Sequence, residues 1–300
     1  MEKELKEKLI VILGQTASGK TDLSIKLAKK FNAEIVSADS RQVYRKMDIG
    51  TGKVTKKEMK GIPHHLLDVV SPKRKFTVVQ YKKLALKAIR KIYKKNKIPF
   101  LVGGTGFYIQ SIVEGIIVPE VKPNWKLRKK LENKNTKELF EILKKIDSKR
   151  SKTIEEKNKR RLIRAIEIAK TIGKSPELKK KPEFDVLVIG MKKETQVLNK
   201  LIRKRLLKRF KQGMVVEIKK LHKNGVSWKR LEEFGLEYKL IAQYLQEKIE
   251  YNEMIEKLQK EIEHFAKRQM TWFKRDKSIR WVTNFQQAEK LLKKFLKLNA

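Results

Sequence analysis

Two rhythms of apolar residues organise this chain. Short, mostly apolar runs at 9–13, 34–38 and 98–102 have the length of strands and are rich in Ile, Val and Leu, the pattern of parallel strands covered on both faces. Between them the apolar positions switch to a helical period. Leu23, Leu27, Ala28 and Phe31 predict a helix over 21–31, and 78–96 predicts a long amphipathic one. Strand and helix therefore alternate through the first third, which predicts a parallel sheet covered by helices, with ligands gathered at the carboxyl ends of its strands. From 119 to 182 no strand pattern remains, and Lys/Arg-rich helical segments are punctuated by Pro123, Gly173 and Pro176, as in a helical insertion. A strand-like run at 184–189 before Gly190 rejoins the sheet. From 194 to 274 the period is helical again, with Gly213, Gly225 and Gly235 as helix ends, and 285–298 is the last helix.

The first strand runs straight into Gly14, Gln15, Thr16, Ala17, Ser18, Gly19, Lys20 and Thr21, which fit G-x-x-x-x-G-K-[ST] without a mismatch. In that strand-to-helix setting the loop's backbone N–H groups point at oxygen anions, and the helix N-terminus behind them adds a favourable dipole. Lys20 is expected on the terminal phosphates of a bound nucleotide or other diphosphate, and the Thr21 hydroxyl on Mg²⁺. The fold class that follows is α/β: a P-loop parallel sheet flanked by helices, with an all-helical insertion domain. Its expected divisions are a first part of the core at 1–118, the insertion at 119–182, and a return to the core at 183–300 through one strand and then mostly helices. A P-loop protein that hydrolyses nucleotide usually ends a second strand in an Asp that organises the metal. Here Leu101 and Val102 run into glycines, and Asp185 stands at the wrong end of its strand. The Asp at a suitable strand end is Asp39, which reads either as a cap for the segment that follows or as a general base facing the phosphate loop.

Composition narrows the partners. The 75 Lys and Arg residues against 34 Asp and Glu give a net charge of +41, a field that attracts polyanions and makes nucleic acid the first partner class, with solvated lysine-rich helix faces as the plain alternative. The absence of cysteine excludes disulfides, thiolate zinc sites and a Cys nucleophile. No apolar run approaches the roughly 20 residues that span a bilayer, and 1–8 lacks the apolar core of a signal peptide, so a cytoplasmic protein without membrane association is expected. His64 and His65, next to Pro63, read as a turn and not as a metal site.

Beyond the phosphate loop, Ser-Ala-Asp-Ser-Arg-Gln-Val-Tyr at 37–44, Met-Asp-Ile-Gly-Thr at 47–51, Pro-His-His-Leu-Leu-Asp-Val at 63–69 and Leu-Val-Gly-Gly-Thr-Gly at 101–106 follow one another. Arg-Arg-Leu-Ile-Arg-Ala-Ile-Glu at 160–167 and Ala-Lys-Arg-Gln-Met-Thr-Trp-Phe at 266–273 come later. In that order, and over nearly the whole chain, these motifs resemble the tRNA dimethylallyltransferase family, also called tRNA isopentenyltransferases. The resemblance implies transfer of a five-carbon prenyl group from dimethylallyl diphosphate to the exocyclic amino group of the adenosine just 3′ of the anticodon. The implied partners are dimethylallyl diphosphate and the tRNA anticodon stem-loop, the implied cofactor is Mg²⁺, and a monomer is the expected state. The missing hydrolytic Asp is then accounted for, because the diphosphate leaves and no water has to be placed against it.

Carried onto this sequence, the resemblance has Gly14 to Thr21 hold the diphosphate, with Lys20 against the developing charge and Thr21 on the metal. Asp39 takes the proton of the adenine amino group, Thr105 hydrogen-bonds the adenine, and Arg205 lies near the diphosphate. Contacts with tRNA are implied for Asp39, Ser40, Arg41, Gln42, Thr105, Arg128, Arg160, Arg161, Leu162, Ile163 and Arg164. From the residues alone, Arg205 also fits a solvated helix position among Arg203, Lys204 and Lys208, Thr105 a strand-end cap, and 160–164 a solvated basic helix. The chain departs from the family pattern at Gln15, where a proline is usual, at Gly52 and Val54 in place of Ala and Pro, at Asn158 in place of Asp, and at Leu236 and Glu237, which interrupt the common Gly-Tyr pair. Without cysteine the zinc finger of many eukaryotic relatives is excluded, and the bacterial form is implied. Two alternatives stand beside prenyl transfer: a P-loop small-molecule kinase using ATP, with Asp39 activating a hydroxyl, and a nucleic-acid-binding P-loop module without catalysis.

Overall fold

The computed structural model describes residues 6–116, 119, 121–173 and 180–298, so that Pro176 lies outside the described residues. The chain begins with β1 (Lys8–Gly14), α1 (Lys20–Lys30), β2 (Ala33–Ala38), the single turn α2 (Lys56–Met59), β3 (His64–His65), α3 (Val78–Tyr93), β4 (Ile98–Gly103) and α4 (Gly106–Val113). Four helices follow: α5 (Trp125–Glu132), α6 (Thr136–Ile146), α7 (Ser148–Ser151) and α8 (Lys159–Ile172). The remainder comprises β5 (Asp185–Met191), α9 (Thr195–Lys211), α10 (Met214–Lys223), α11 (Trp228–Phe234), α12 (Leu236–Leu245), α13 (Tyr251–Phe273), β6 (Arg280–Val282) and α14 (Phe285–Leu296).

The strands form one parallel sheet in the order β3-β2-β4-β1-β5-β6. Its central strands are apolar on both sides because helices cover both faces. Ile10, Ile12, Ile35 and Phe100 meet Leu23 and Leu27 of α1 and Leu292 of α14. Val11, Leu13, Val36 and Leu101 meet Tyr81 and Ile89 of α3 and Ile109 of α4. A third cluster joins α9 to α13 through residues such as Leu206, Ile218, Tyr238 and Leu258 and takes in Val43, Tyr44 and Met47 from the segment after β2. No helix among the described residues is long and apolar enough to cross a membrane.

Contacts divide the chain into two compact units. One runs to Glu114 and resumes at Pro182; the other is Gly115–Lys181. The second unit contains α5 to α8 around Leu131, Leu139, Leu143, Leu162 and Ile166.

Three local expectations are corrected. The helix expected to reach residue 96 stops at Tyr93, and Asn96 closes the turn with φ of 55°. The return to the sheet contains two strands, not one: β6 pairs with β5, and three residues are too few to display a period in sequence. His64 and His65 form the edge strand β3, opposite Ile35 and Val36, where a turn was expected. His65 Nε2 lies 2.8 Å from the buried carboxylate of Glu34, which also pairs with Lys95 and Lys97.

Candidate active site

Parallel register brings the chemistry to one edge. Leu13 and Ala38 both stand opposite Gly103, so the phosphate loop after β1, Asp39 after β2 and the glycine turn after β4 emerge side by side. The approach is too close for side chains. A Cβ on Gly103 would lie 2.2 Å from the Ala38 carbonyl oxygen, and one on Gly106 would lie 2.3 Å from the Trp272 ring. The Thr105 N–H donates to the Ala38 carbonyl at 3.1 Å, stitching the two strand ends together.

Beyond this edge opens a cleft of about 550 Å³ whose lining includes Thr16, Lys20, Thr21, Asp39, Thr105 and Arg205. That volume is in the range of small-molecule sites. Asp39 fulfils the cap reading, because Oδ1 accepts the N–H groups of Arg41 at 2.8 Å and Gln42 at 3.3 Å. It caps a turn, since the next α-helix is α2. Its other oxygen has no hydrogen-bond partner among the described residues, so one carboxylate holds the turn and keeps an acceptor for the cleft. Thr105 is the N-cap residue of α4, yet its hydroxyl caps nothing there. Oγ1 instead accepts the Ser40 N–H at 3.0 Å, which leaves the hydroxyl hydrogen to be donated.

The cations of the cleft sit in an environment that disfavours their charge. Burial, and after it the neighbouring Arg205 cation, lowers the Lys20 pKa to about 8, with Asp39 opposing the shift. Lys20 Nζ donates to the Gln15 carbonyl at 3.2 Å. Arg205 is lowered to about 10 by burial and by Arg209, and its Nη2 donates to the Gly52 carbonyl at 3.1 Å. It is therefore a partly buried lining residue and not a solvated helix position. An anion entering here would relieve both shifts at once. Within the loop, the fully buried Ser18 hydroxyl has no partner among the described residues, a donor awaiting an acceptor. Gly19, with φ of 91°, turns the chain into α1.

Sequence reasoning overlooked the role of Gln269. Its Oε1 accepts the Thr16 N–H at 2.8 Å and its Nε2 donates to the Gly104 carbonyl at 2.9 Å, clamping the phosphate loop to the glycine turn. The signal was present: Met254, Leu258, Ile262, Ala266, Gln269 and Phe273 make the buried stripe of α13, and one polar residue in such a stripe demands a partner. Gln15 ties the loop to the same helix, since its buried side chain donates to the Ala266 carbonyl at 3.0 Å.

Of the residues expected at tRNA, Ser40, Arg41 and Gln42 line the cleft. Arg41 Nε donates to the Phe234 carbonyl at 2.9 Å, and Gln42 Nε2 to that of Gly52 at 3.3 Å. In the Gly115–Lys181 unit the arginines diverge. Arg160 and Arg161 are exposed, Arg161 beside Glu155 at 3.0 Å. Arg128 grips the buried Glu167 with both arms, at 2.9 and 2.7 Å, and Arg164 pairs with the same carboxylate while donating to the Val121 carbonyl at 3.0 Å. The side chains of Leu162 and Ile163 are buried in this unit's core and serve packing. Asn158 caps α8, accepting the Arg161 N–H at 3.3 Å.

Comparison with known proteins adds a second line. The family described as IPP transferase matches residues 42–276. The chain is 44% identical over 275 residues to tRNA dimethylallyltransferase 1 of Syntrophus aciditrophicus, covering 89% of each sequence. It is 40% identical over 303 residues to tRNA dimethylallyltransferase of Thermoanaerobacter sp., covering 96% of each. Among solved structures, the tRNA isopentenylpyrophosphate transferase of Bacillus halodurans superposes with a TM-score of 0.73 at 35% identity, covering 98% of this chain and 96% of that one. A eukaryotic dimethylallyltransferase acting on tRNA gives a TM-score of 0.80 at 28% identity, over 96% of this chain and 77% of that one.

Proposed function

The chain belongs to the IPP transferase family, and from that premise we propose that it transfers the dimethylallyl group of dimethylallyl diphosphate to the exocyclic amino group of the adenosine just 3′ of the anticodon in tRNA. The observation that carries this reading is one cleft lined both by cations suited to a diphosphate, Lys20 and Arg205, and by polar groups suited to a purine, Asp39 and Thr105. The adenine nitrogen attacks the first carbon of the prenyl group, and the carbon–oxygen bond breaks with its electron pair passing to the diphosphate. The amino proton passes to the Asp39 carboxylate. An adenine amino group is a weak nucleophile, so removing its proton as the new bond forms is where a positioned base gains most. Lys20, Arg205 and the loop N–H groups meet the charge that develops on the leaving oxygens. The Thr105 hydroxyl, its orientation set by the Ser40 N–H, donates to the ring and holds the amino group in line.

Mg²⁺ fits this site only as a companion of the diphosphate. Among the described residues no group of three or more His, Cys, Asp or Glu side chains could hold a metal alone. The Thr21 hydroxyl lines the cleft and, with diphosphate oxygens and water, would complete the ion's shell. When bound, the metal would neutralise charge on the departing diphosphate.

The base must leave its stack to enter the cleft, which costs a few kcal/mol and less in a loop than in a duplex. The net charge of +41 and the exposed Arg160 and Arg161 support the tRNA side through contacts with phosphates. The deciding experiment incubates the protein with bulk tRNA, Mg²⁺ and labelled dimethylallyl diphosphate, followed by mass spectrometry of the nucleosides. A prenylated adenosine is expected. No transfer, with ATP consumed on a small metabolite, would establish the kinase alternative instead.

A further inference from the structure

Glu217, on α10, lies outside the lining of the cleft, yet its carboxylate collects four donors. Oε2 accepts the backbone N–H groups of Asp48 at 2.8 Å and Ile49 at 2.7 Å. Oε1 accepts the N–H of Gly50 at 3.0 Å and the Tyr238 hydroxyl at 2.8 Å. Three consecutive backbone donors aimed at one carboxylate fix the path of a segment that lacks a ladder of its own, and a charged acceptor makes each bond stronger than a neutral one would. Packing holds it as well, since a Cβ on Gly50 would lie 2.7 Å from the Tyr238 ring.

The far end of the same segment holds the cations. The Gly50 carbonyl accepts from Arg209 Nη1 at 3.2 Å, and the Gly52 carbonyl accepts from Arg205 Nη2 at 3.1 Å. Gly52 has φ of 57°, and a Cβ there would stand 2.2 Å from the Nη2 atoms of both arginines, so the guanidinium groups rest directly on this backbone. Arg209 is further held by Glu237 at 2.8 Å. Arg205 has one tether to the loop, and the loop is set by Glu217.

We infer that Glu217 is a positioning residue for the diphosphate end of the cleft, acting through the 48–52 loop on the Arg205 guanidinium. The inference rests on the proposed function in one respect, that Arg205 faces a diphosphate. With the loop fixed, Arg205 spends one donor on Gly52 and presents the others at a constant place. With the loop loosened, the guanidinium follows its tether and the anion loses a preset partner.

The test is a double-mutant cycle read by calorimetric titration with Mg²⁺ and inorganic pyrophosphate, using the full chain. Arg205→Ala is expected to weaken pyrophosphate binding by about thirtyfold, and Glu217→Gln, which replaces one acceptor oxygen by a donor, by about fivefold. In the double variant the affinity is expected to stay within about twofold of Arg205→Ala alone, because the second change has nothing left to position. Tyr238→Phe, which keeps the ring and removes one of the four donors, is the milder companion, and its smaller loss should likewise vanish in the Arg205→Ala background. Multiplying effects in the double variants would overturn the inference and make Glu217 an ordinary structural anchor. Undiminished binding in both Glu217→Gln and Tyr238→Phe, with Arg205→Ala impaired, would overturn it while leaving the site reading intact. Full affinity in Arg205→Ala would remove the diphosphate reading of Arg205 itself, and the inference with it.

Discussion

Basic residues meet opposite fates in the two units. In the sheet-bearing unit, Lys20 and Arg205 are held by carbonyl oxygens, at 3.2 and 3.1 Å, and their charge is raised in energy by burial and by a neighbouring cation, Arg205 for Lys20 and Arg209 for Arg205. In the Gly115–Lys181 unit, Arg128 and Arg164 converge on Glu167, where burial works against ionisation but hydrogen bonds from both guanidinium groups and the Asn124 N–H prevail, so the carboxyl titrates below its ordinary range. The first arrangement is poised for an external anion, and the second already contains its own. Positive charge in a sequence therefore marks a ligand site only where no carboxylate of the fold has claimed it. Charges awaiting a ligand raise the energy of the empty protein, whereas satisfied ones hold helices together.

The contrast can be broken most forcefully at its catalytic end. Asp39→Asn retains an oxygen for the Arg41 and Gln42 N–H groups but abolishes proton acceptance. Prenyl transfer is expected to fall by about 10²- to 10⁴-fold with tRNA affinity within a few-fold, as measured by single-turnover assays and filter binding. Full activity would remove the general base. Lys20→Ala should cost about tenfold to a hundredfold in pyrophosphate affinity by calorimetry, since a charge-assisted partner is lost from a site built around it.

In the other unit, Arg128→Ala should lower unfolding free energy by about 2 kcal/mol, less than for a fully isolated charge because Arg164 still serves Glu167 and Arg128 is partly solvated. Denaturant titration would show it, and an unchanged midpoint would mean the pair is not structural. Arg160→Ala should leave that midpoint untouched and reduce the slope of log affinity for tRNA against log salt by about 0.9, the loss of one phosphate contact.

The smallest effect is one of pH. The folded Lys20 pKa of about 8 lies below the ordinary lysine value of 10.5. Between those values the unfolded chain binds more protons, so this group makes folding more favourable as pH rises through the window. Diphosphate binding runs the other way: it needs the ammonium form and should weaken above pH 8, by at most about tenfold per unit. Lys20→Arg, whose charge does not titrate there, should flatten the binding profile; an equal fall in that variant would place the titrating group elsewhere.

Much of the fold was legible because its determinants are local. β1, β2, β4 and β5 lie where the apolar runs placed them, and α1 starts where the phosphate loop ends. Gly213, Gly225 and Gly235 stand at helix ends with positive φ, as their freedom from a Cβ allows. What escaped was brief or paired from afar: β6, with three residues, and β3, a strand only because β2 lies beside it. The site divided along the same line. The phosphate loop, Asp39 and Thr105 were visible as residues at strand ends, where parallel pairing leaves one edge for ligands. Gln269, which joins two of those loops from α13, and Glu217, which shapes a third segment from α10, were not.

Sequence by itself determined the alternation of strand and helix, the glycine-bounded loop between the first strand and helix, the helical insertion and the sign of the field, because hydrogen-bond geometry, side-chain period and charge are properties of neighbours along the chain. Tertiary structure alone decided which cations face a cleft and which are bound by Glu167, and which polar side chains hold the loops in place. A long side chain can reach several partners, and only the packed fold selects one of them.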